Sequence, residues 1–566
     1  MAINSWPGRR WKTAWRLLRS GDLPALARRT GSFLGRLNDR ASAVDYADWR
    51  RQWVEVDDAA RVRIDDLVAA LPYRPTFTVL VPVAGANASL VAATVRSLAA
   101  QRYAEWVLCL TGAGLPDPAV ADMVTTVGDS RVVFTDPLPK PSGEWVACLA
   151  PGDLLHEAAL FAVADAVTDR SEAVVVYTDH DHVDPHGQFA DPHMKPDWNP
   201  DLLAGMDYFS ILTAYRADLW EAHASGAGSA HELAVRATAR LETGQVVHVP
   251  QVLAGLRVSG DGSHLVPATV RVVHRLPEPP RVSVLIPTRD RGRMLDRCLS
   301  SLREVTDYPE LELVVVDHET TEARARVLLD SLAGEANTQV IAFSGSFNFS
   351  AMINRAAAAA TGEVLVLLNN DTEVIQPEWL SELVAQVSRE EVGVAGAMLL
   401  FGDETVQHAG VHPGVTGLMG HGHKHLPGDH PGYFGRLRVA HEVAAVTGAC
   451  LAVEATVFER LGGLDEKHLA VAYNDVDLCL KARKLGLRVV FTPHARLVHH
   501  ESVSRGFDDD PARKERLAGE TAVMRERWGD LLDADPAYSP NLTLTGRDFT
   551  LAQHPRVPPP WRGPEG

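Results

Sequence analysis

RVSVLIPTRDRGRMLDRCLSSLREV (281–305) is the stretch that decides the fold. Its β-branched run VSVLI reads as a strand buried on both faces. A proline turn and a helical pattern follow, which is how a βα unit of a parallel sheet opens. LELVVVD (311–317) supplies the next strand. The same layout occurs earlier, where FTVLVPVAGANASLVAATVRSLAAQRY (77–103) leads into WVLCL (106–110). Each copy later makes a Gly-Glu step into a hydrophobic strand, GEWVACLAPGD (143–153) and GEVLVLLNNDTEV (362–374). Three landmarks in one order predict a tandem duplication of an α/β domain, each copy Rossmann-like with a mostly parallel sheet. The linker falls near Pro277–Pro280.

Length and composition agree. The 566 residues suit about four domains, or two to three large α/β ones. With 46% hydrophobic and 23% charged residues, disordered, collagen-like and disulfide-scaffold classes are excluded. A net charge of −18 opposes unspecific binding to nucleic acid. Five widely spaced cysteines without a CxxC pair read as reduced cytosolic thiols. No secretory signal or membrane-spanning stretch is visible, so a cytoplasmic protein, soluble or peripheral, is expected. The first forty residues break the charge trend, with nine basic side chains against Asp22 and Asp39 and with Trp6, Trp11 and Trp15 interleaved. Two readings stand: contact of residues 1–40 with an anionic membrane surface, or a solvated helical hairpin. The expected division is a basic helical segment over 1–70, α/β domains over 71–276 and 277–552, and a disordered Pro/Gly-rich tail over 553–566.

The second copy carries the chemistry. LLNNDTEV (367–374) sets Asn369, Asn370, Asp371 and Glu373 at the carboxyl edge of a parallel sheet, where open α/β sheets bind ligands. Acidic oxygens there suit a divalent cation, Mg or Mn, bridging a diphosphate. YNDVDLCLKARKLG (473–486) puts Asp475 and Asp477 at a helix start, as caps or as a general base for an attacking hydroxyl. HHESVSRG (499–506) adds His499, His500 and Arg505, residue types that complete a metal shell and clamp phosphate.

From Val282 to Leu551 the chain resembles family 2 glycosyltransferases of the GT-A fold, in particular the rhamnosyltransferase-like enzymes of bacterial surface-polysaccharide assembly. The motifs that carry the resemblance, in order, are VSVLIPTRDR (282–291), SFNFSAMINRAA (346–357), LLNNDTEV, QHAG (407–410), VTGACLAVEATVFERLGGLDE (446–466), YNDVDLCLKARKLG and HHESVSRG. The resemblance implies two tandem GT-A-like domains and a metal-dependent, inverting hexosyltransferase. It assigns Pro287, Thr288, Arg289, Asp317, Asn348, Asn354, Asn370 and Arg505 to the nucleotide sugar. Thr447, Gly448 and Ala449 fall on the acceptor side, Asp371 and His499 on the metal, and Asp475 becomes the general base. Asn369 stands where many relatives carry the first Asp of a DxD motif. The implied partners are a nucleoside-diphosphate sugar donor and a glycan or lipid-linked glycan acceptor, at the inner face of the plasma membrane.

The first copy resembles the same superfamily without its chemistry. Ala150 and Gly152 occupy the expected carboxylate positions, leaving Asp153, and Glu232 is the nearest match to the helix-start aspartate. A site built instead from Asp179, Asp181 and Asp184 is the alternative. The histidine-rich GHGHKHLPGDH (420–430) is expected to be a flexible loop rather than a zinc site. Two rival functions are weighed, a sugar nucleotidyltransferase and a non-catalytic scaffold. The former wants a Gly-rich loop after the first strand, where this chain has Gly292 alone.

Overall fold

A computed structural model describes residues 44–112, 118–135, 140–258, 266–415, 417–500 and 511–563. The expected basic segment over 1–40, Arg505 and the last three residues lie outside them. The chain divides into two compact units. Val44–Val270, Pro536–Thr543 and the residues from Thr550 onward form the N-terminal unit. Arg271–Asp535 and Leu544–Phe549 form the C-terminal one.

Among the described residues the N-terminal unit has a nine-stranded sheet. Its strands are β1 (Phe77–Pro82), β2 (Trp106–Thr111), β3 (Val132–Thr135), β4 (Trp145–Cys148), β5 (Leu154–Leu155), β6 (Val175–Val183), β7 (Phe189–His193), β8 (Thr213–Arg216) and β9 (Val246–Arg257). They run in the order β3-β2-β1-β4-β8-β6-β9-β5, with β7 against β6. The C-terminal unit opens with β10 (Val282–Thr288), β11 (Leu311–His318), β12 (Thr338–Phe343), β13 (Val364–Leu368), β14 (Thr372–Val374) and β15 (Val392–Leu400). It continues with β16 (Val406–His408), β17 (Val411–Pro413), β18 (Met419–His421), β19 (His441–Glu442), β20 (Cys450–Glu454) and β21 (Arg488–His499). Its order is β12-β11-β10-β13-β20-β15-β21-β14, strand for strand the order of the first sheet. In both sheets the first four strands are parallel, the fifth, β8 or β20, runs against its neighbours, and the last, β5 or β14, is antiparallel to β9 or β21. The chain is therefore a duplicated α/β fold of the mostly parallel kind.

Sequence explains the shared landmarks. Along β10, Val282, Val284 and Ile286 point to one face and pack with Leu295, Leu299 and Leu302 of the helix Gly292–Val305. Leu285 points to the other, with Met352, Ile353 and Ala356 of the helix Phe349–Ala359. Burial on both faces is why the strand reads as an unbroken apolar run, each such side chain contributing about 1.5–3 kcal/mol. The Gly-Glu step marks a close approach: a Cβ on Gly143 would sit 2.8 Å from the Thr76 carbonyl oxygen, and one on Gly362 2.6 Å from Ser283 N. In return the Gly143 and Gly362 N–H groups donate to Thr78 Oγ1 and Ser283 Oγ.

The expectation of a disordered tail is corrected. Residues 553–563 are packed into the N-terminal unit, where Trp561 is 1% exposed and stacks on His156. The Trp49 and Trp53 indole N–H groups donate to the carbonyls of Ala552 and Gln553. A Pro/Gly-rich composition hides this, because the anchors are one buried indole and backbone oxygens. No helix among the described residues is long and apolar enough to cross a membrane, and all five cysteines are unpaired.

The N-terminal unit buries His248 between two carboxylates. Nε2–H donates to Asp179 Oδ1 at 2.9 Å and Nδ1–H to Asp197 Oδ1 at 3.1 Å. Burial opposes the charge, but the two carboxylates outweigh it and push the imidazole up to about 9. The proton is thus held more tightly in the folded state. Its stabilisation is fully present below the unfolded value of about 6.5 and is lost as pH rises through about 9. Burial holds Lys195 down at about 7, which acts in the opposite direction over the same range. The comparison that isolates His248 is therefore wild type against His248→Gln. We expect the wild type to melt about 4–8 °C higher at pH 6 to 7, with the gap closing above pH 9. A gap independent of pH in thermal unfolding followed by tryptophan fluorescence contradicts the charged assignment.

Candidate active site

The carboxyl ends of β10, β11 and β13 bring several expected residues together. Thr288 pairs in register with Asp317. Its hydroxyl accepts a 2.8 Å hydrogen bond from Asn370 Nδ2, while Arg289 is exposed just beyond. Pro287 ends the buried run of β10. Asp290 then turns the chain: its Oδ1 accepts from the N–H groups of Thr321 (2.6 Å) and Glu322 (2.8 Å), and Glu322 Oε2 accepts from Gly292 N–H. The loops after β10 and β11 are thereby bound to one another. Asp317 Oδ1 accepts from Thr320 N–H.

Asp371 follows β13 and is 5% exposed, and β14 then pairs against the end of β21, setting Thr372 opposite His499. His499 Nε2 lies 3.0 Å from Asp371 Oδ1. The other ring nitrogen settles the chemistry: Nδ1–H donates to Gln407 Oε1 at 2.7 Å, and Gln407 Nε2 donates back to the His499 carbonyl. With Nδ1–H given to Gln407, Nε2 is the ring atom turned toward the Asp371 carboxylate. Two acceptors that close need a proton or a cation between them. Asp371 and His499 would offer one carboxylate oxygen and one ring nitrogen to the divalent cation that the resemblance implies. Asn369 Nδ2 is 3.5 Å from the same nitrogen. Among the described residues no three His, Cys, Asp or Glu side chains form a metal-binding group.

Asp475 stands in the first turn of the helix Asn474–Lys484. Its Oδ2 accepts from Gly448 N–H at 2.7 Å and its Oδ1 from Val476 N–H at 2.8 Å. The loop that grips it also reaches β13, since the Ala449 carbonyl accepts from Asn369 N–H at 3.0 Å. Thr447 N–H donates to His408 Nε2, and His408 Nδ1 meets His421 Nδ1 at 2.8 Å. Asp477 is a structural acid. Fully buried, it accepts from Arg527 and from the Trp528 indole and pairs with Lys481.

Asn348 and Asn354, which the resemblance assigns to the nucleotide sugar, have partners within the unit. Asn348 Oδ1 caps its own helix at Ala351 N–H and its Nδ2 donates to the Glu466 carbonyl. Asn354 Nδ2 donates to the Leu464 carbonyl and its Oδ1 accepts from Leu464 N–H. Both amide nitrogens donate to the segment that leads to Asp475. His500 is likewise engaged, with Glu373 Oε2 at 2.7 Å. The histidine-rich stretch is packed rather than a loose loop: His423 is buried, stacks on Phe549 and accepts from Tyr433 N–H. Gln407 and His408 are the residues whose roles sequence reading missed. Their signal was the QHAG motif, which spacing alone left without a partner.

In the N-terminal unit, counting from the shared registers, the positions of Thr288, Arg289, Asp317, Asn369, Asp371 and His499 hold Val83, Ala84, Gly112, Ala150, Gly152 and Leu256. Every polar group is gone. The space is filled as well: a Cβ on Gly112 would lie 3.3 Å from Ala84 N, and one on Gly152 3.1 Å from the Arg257 side chain. Asp153 caps the turn, accepting from the N–H groups of Ala150 and Arg257, and burial pushes it up to about 6. Glu232 pairs with Arg236 and accepts from Gly228 N–H. The alternative trio has separate partners: Asp179 with His248 and Asn541, Asp181 with Tyr46 and Arg50, Asp184 within its own turn.

Comparison with known proteins agrees with this geometry. Residues 279–528 match the family described as glycosyltransferase like family 2. Over 557 residues the chain is 35% identical to the uncharacterized protein y4gI of Sinorhizobium fredii, covering 89% of this chain and 61% of that protein. It is 32% identical to the O-antigen biosynthesis protein RfbC of Myxococcus xanthus, covering 89% and 43%. A 23% identity over 244 residues relates it to the N-acetylglucosaminyl-diphospho-decaprenol L-rhamnosyltransferase of Mycobacterium tuberculosis, covering 40% and 78%. The chain thus spans between two fifths and two thirds of the length of the first two relatives. Residues 279–528 are thus the part of the chain that matches the family described as glycosyltransferase like family 2.

Proposed function

We propose that the C-terminal unit transfers a sugar from a nucleoside-diphosphate donor to a hydroxyl of a cell-surface glycan or lipid-linked glycan, with inversion, at the cytoplasmic face of the membrane. The observation that carries the reading is the Asp371–His499 pair on the sheet's carboxyl edge, joined through Asn369 and Ala449 to the loop that holds Asp475. Asp371 and His499 would hold a divalent cation, which when bound offsets charge on the departing diphosphate. Thr288, Asp317, Asn370 and Arg289 stand along the same edge for the nucleotide, with Arg505 as a further phosphate contact. Asp475, its Oδ2 fixed by Gly448, takes the proton from the acceptor hydroxyl as that oxygen attacks the anomeric carbon. Thr447, Gly448 and Ala449 form the acceptor side. The relatives' names, an O-antigen biosynthesis protein and a rhamnosyltransferase acting on a polyprenyl diphosphate sugar, support this choice of acceptor class. The N-terminal unit is read as non-catalytic, because apolar or glycine residues stand at the positions of Thr288, Arg289, Asp317, Asn369, Asp371 and His499, and Glu232, the nearest match to Asp475, is paired with Arg236.

The test is a thermal-shift panel of UDP-, dTDP- and GDP-sugars with Mn2+ or Mg2+. A donor at a hundredfold its dissociation constant stabilises by about 2.7 kcal/mol, a shift of several degrees. A metal-dependent shift with one base is the expected result. Equal shifts without metal, or none with any donor, count against the reading.

A further inference from the structure

We propose that Glu520 is a positioning residue for Asp475, which makes the C-terminal helix Pro511–Asp533 part of the catalytic apparatus; this rests on Asp475 being the general base. The helix is mostly solvent-facing, but Glu520, Met524, Trp528 and Leu532 form one buried stripe at a spacing of four. Glu520 is the only acid in that stripe and is 4% exposed. A carboxylate so placed is costly unless its oxygens are satisfied. They are: Oε1 accepts from Val471 N–H at 2.9 Å and Oε2 from Ala472 N–H at 3.1 Å.

Those two amides lie just ahead of Asp475. Between them and it, Tyr473 adopts a left-handed φ of +59°, a conformation that persists where its surroundings enforce it. The surroundings do so from two sides. Ser350 Oγ–H donates to the Leu469 carbonyl and Ser350 N–H to that of Ala470, while Glu520 takes the next two N–H groups. Four consecutive residues are thus held before the turn. Beyond it the same C-terminal helix grips Asp477 through Arg527 and Trp528. Asp475 sits between these two anchors of one helix. Its own carboxylate is left to Gly448 and Val476, so its direction follows from where the backbone is set.

The experiment measures release of nucleoside diphosphate from dTDP-L-rhamnose, UDP-glucose and GDP-mannose with Mn2+, by the wild type, E520A, E520Q, D475N and the double variant E520A/D475N. E520A is expected to lower kcat at least tenfold with KM for the donor within twofold. E520Q keeps one of the two acceptor oxygens and falls between. In the D475N background E520A adds no further loss, because Glu520 acts through Asp475. The same further loss in that background, or a kcat of E520A within twofold of wild type beside an inactive D475N, overturns the positioning role alone. Full activity of D475N overturns the base assignment and this inference together. Independently of turnover, amide exchange over residues 471–476 is expected to rise at least tenfold in E520Q, whose isosteric side chain preserves the fold; unchanged exchange contradicts the proposal.

Discussion

Asp475→Asn is expected to lower kcat by about 10²–10⁴-fold, the range set by loss of a positioned general base, while leaving donor KM and the melting temperature nearly unchanged. The asparagine carbonyl can still accept the Gly448 N–H that Asp475 Oδ2 now receives, and only the contact of Oδ1 with the adjacent Val476 N–H is given up. The helix start therefore stays in place. What the amide cannot do is take a proton, so an oxygen nucleophile would have to lose its proton to water during attack. Interactions made only in the transition state lower kcat and kcat/KM together. That is the signature expected in initial rates of nucleoside-diphosphate release. A variant retaining more than a tenth of wild-type turnover would move the base elsewhere.

Much of the architecture was readable from residues because its cause is local. β10 and β1 are buried on both faces, so their apolar runs are continuous, and the Gly-Glu step recurs because Gly143 and Gly362 each pass against a neighbouring backbone. What spacing cannot report is where a polar side chain spends its hydrogen bonds. Asn348 and Asn354 sit in a motif that suggests a ligand, yet both close on Leu464 and Glu466, more than a hundred residues later. Gln407 finds its partner 92 residues on, at His499. Glu520 lies in a helix whose composition reads as a solvated face, and only the fold shows that it is buried against Val471 and Ala472. The first copy's lost carboxylates were visible at Ala150 and Gly152, whereas the side chain of Arg257 beside Gly152 was not.

Asp371→Asn separates binding of a cation from the integrity of the fold. In the wild type His499 Nε2 lies 3.0 Å from an Asp371 carboxylate oxygen, with Nδ1–H committed to Gln407. Replacing that oxygen by an amide nitrogen lets the amide N–H donate to Nε2, which closes the pair on itself. The ligand-free protein should melt close to the wild-type temperature, because the amide still hydrogen-bonds Nε2 in place of the carboxylate. The Mn2+-dependent stabilisation by a sugar nucleotide should vanish, and turnover should fall by about 10³-fold, since stabilisation of charge in the transition state is the term removed. A carboxylate that served only to hold His499 in place would give the opposite pattern: a lower melting temperature with the metal-dependent shift intact. Melting curves of the two proteins with and without Mn2+ and donor distinguish these outcomes. Retention of the full shift in Asp371→Asn would place the cation away from the end of β13.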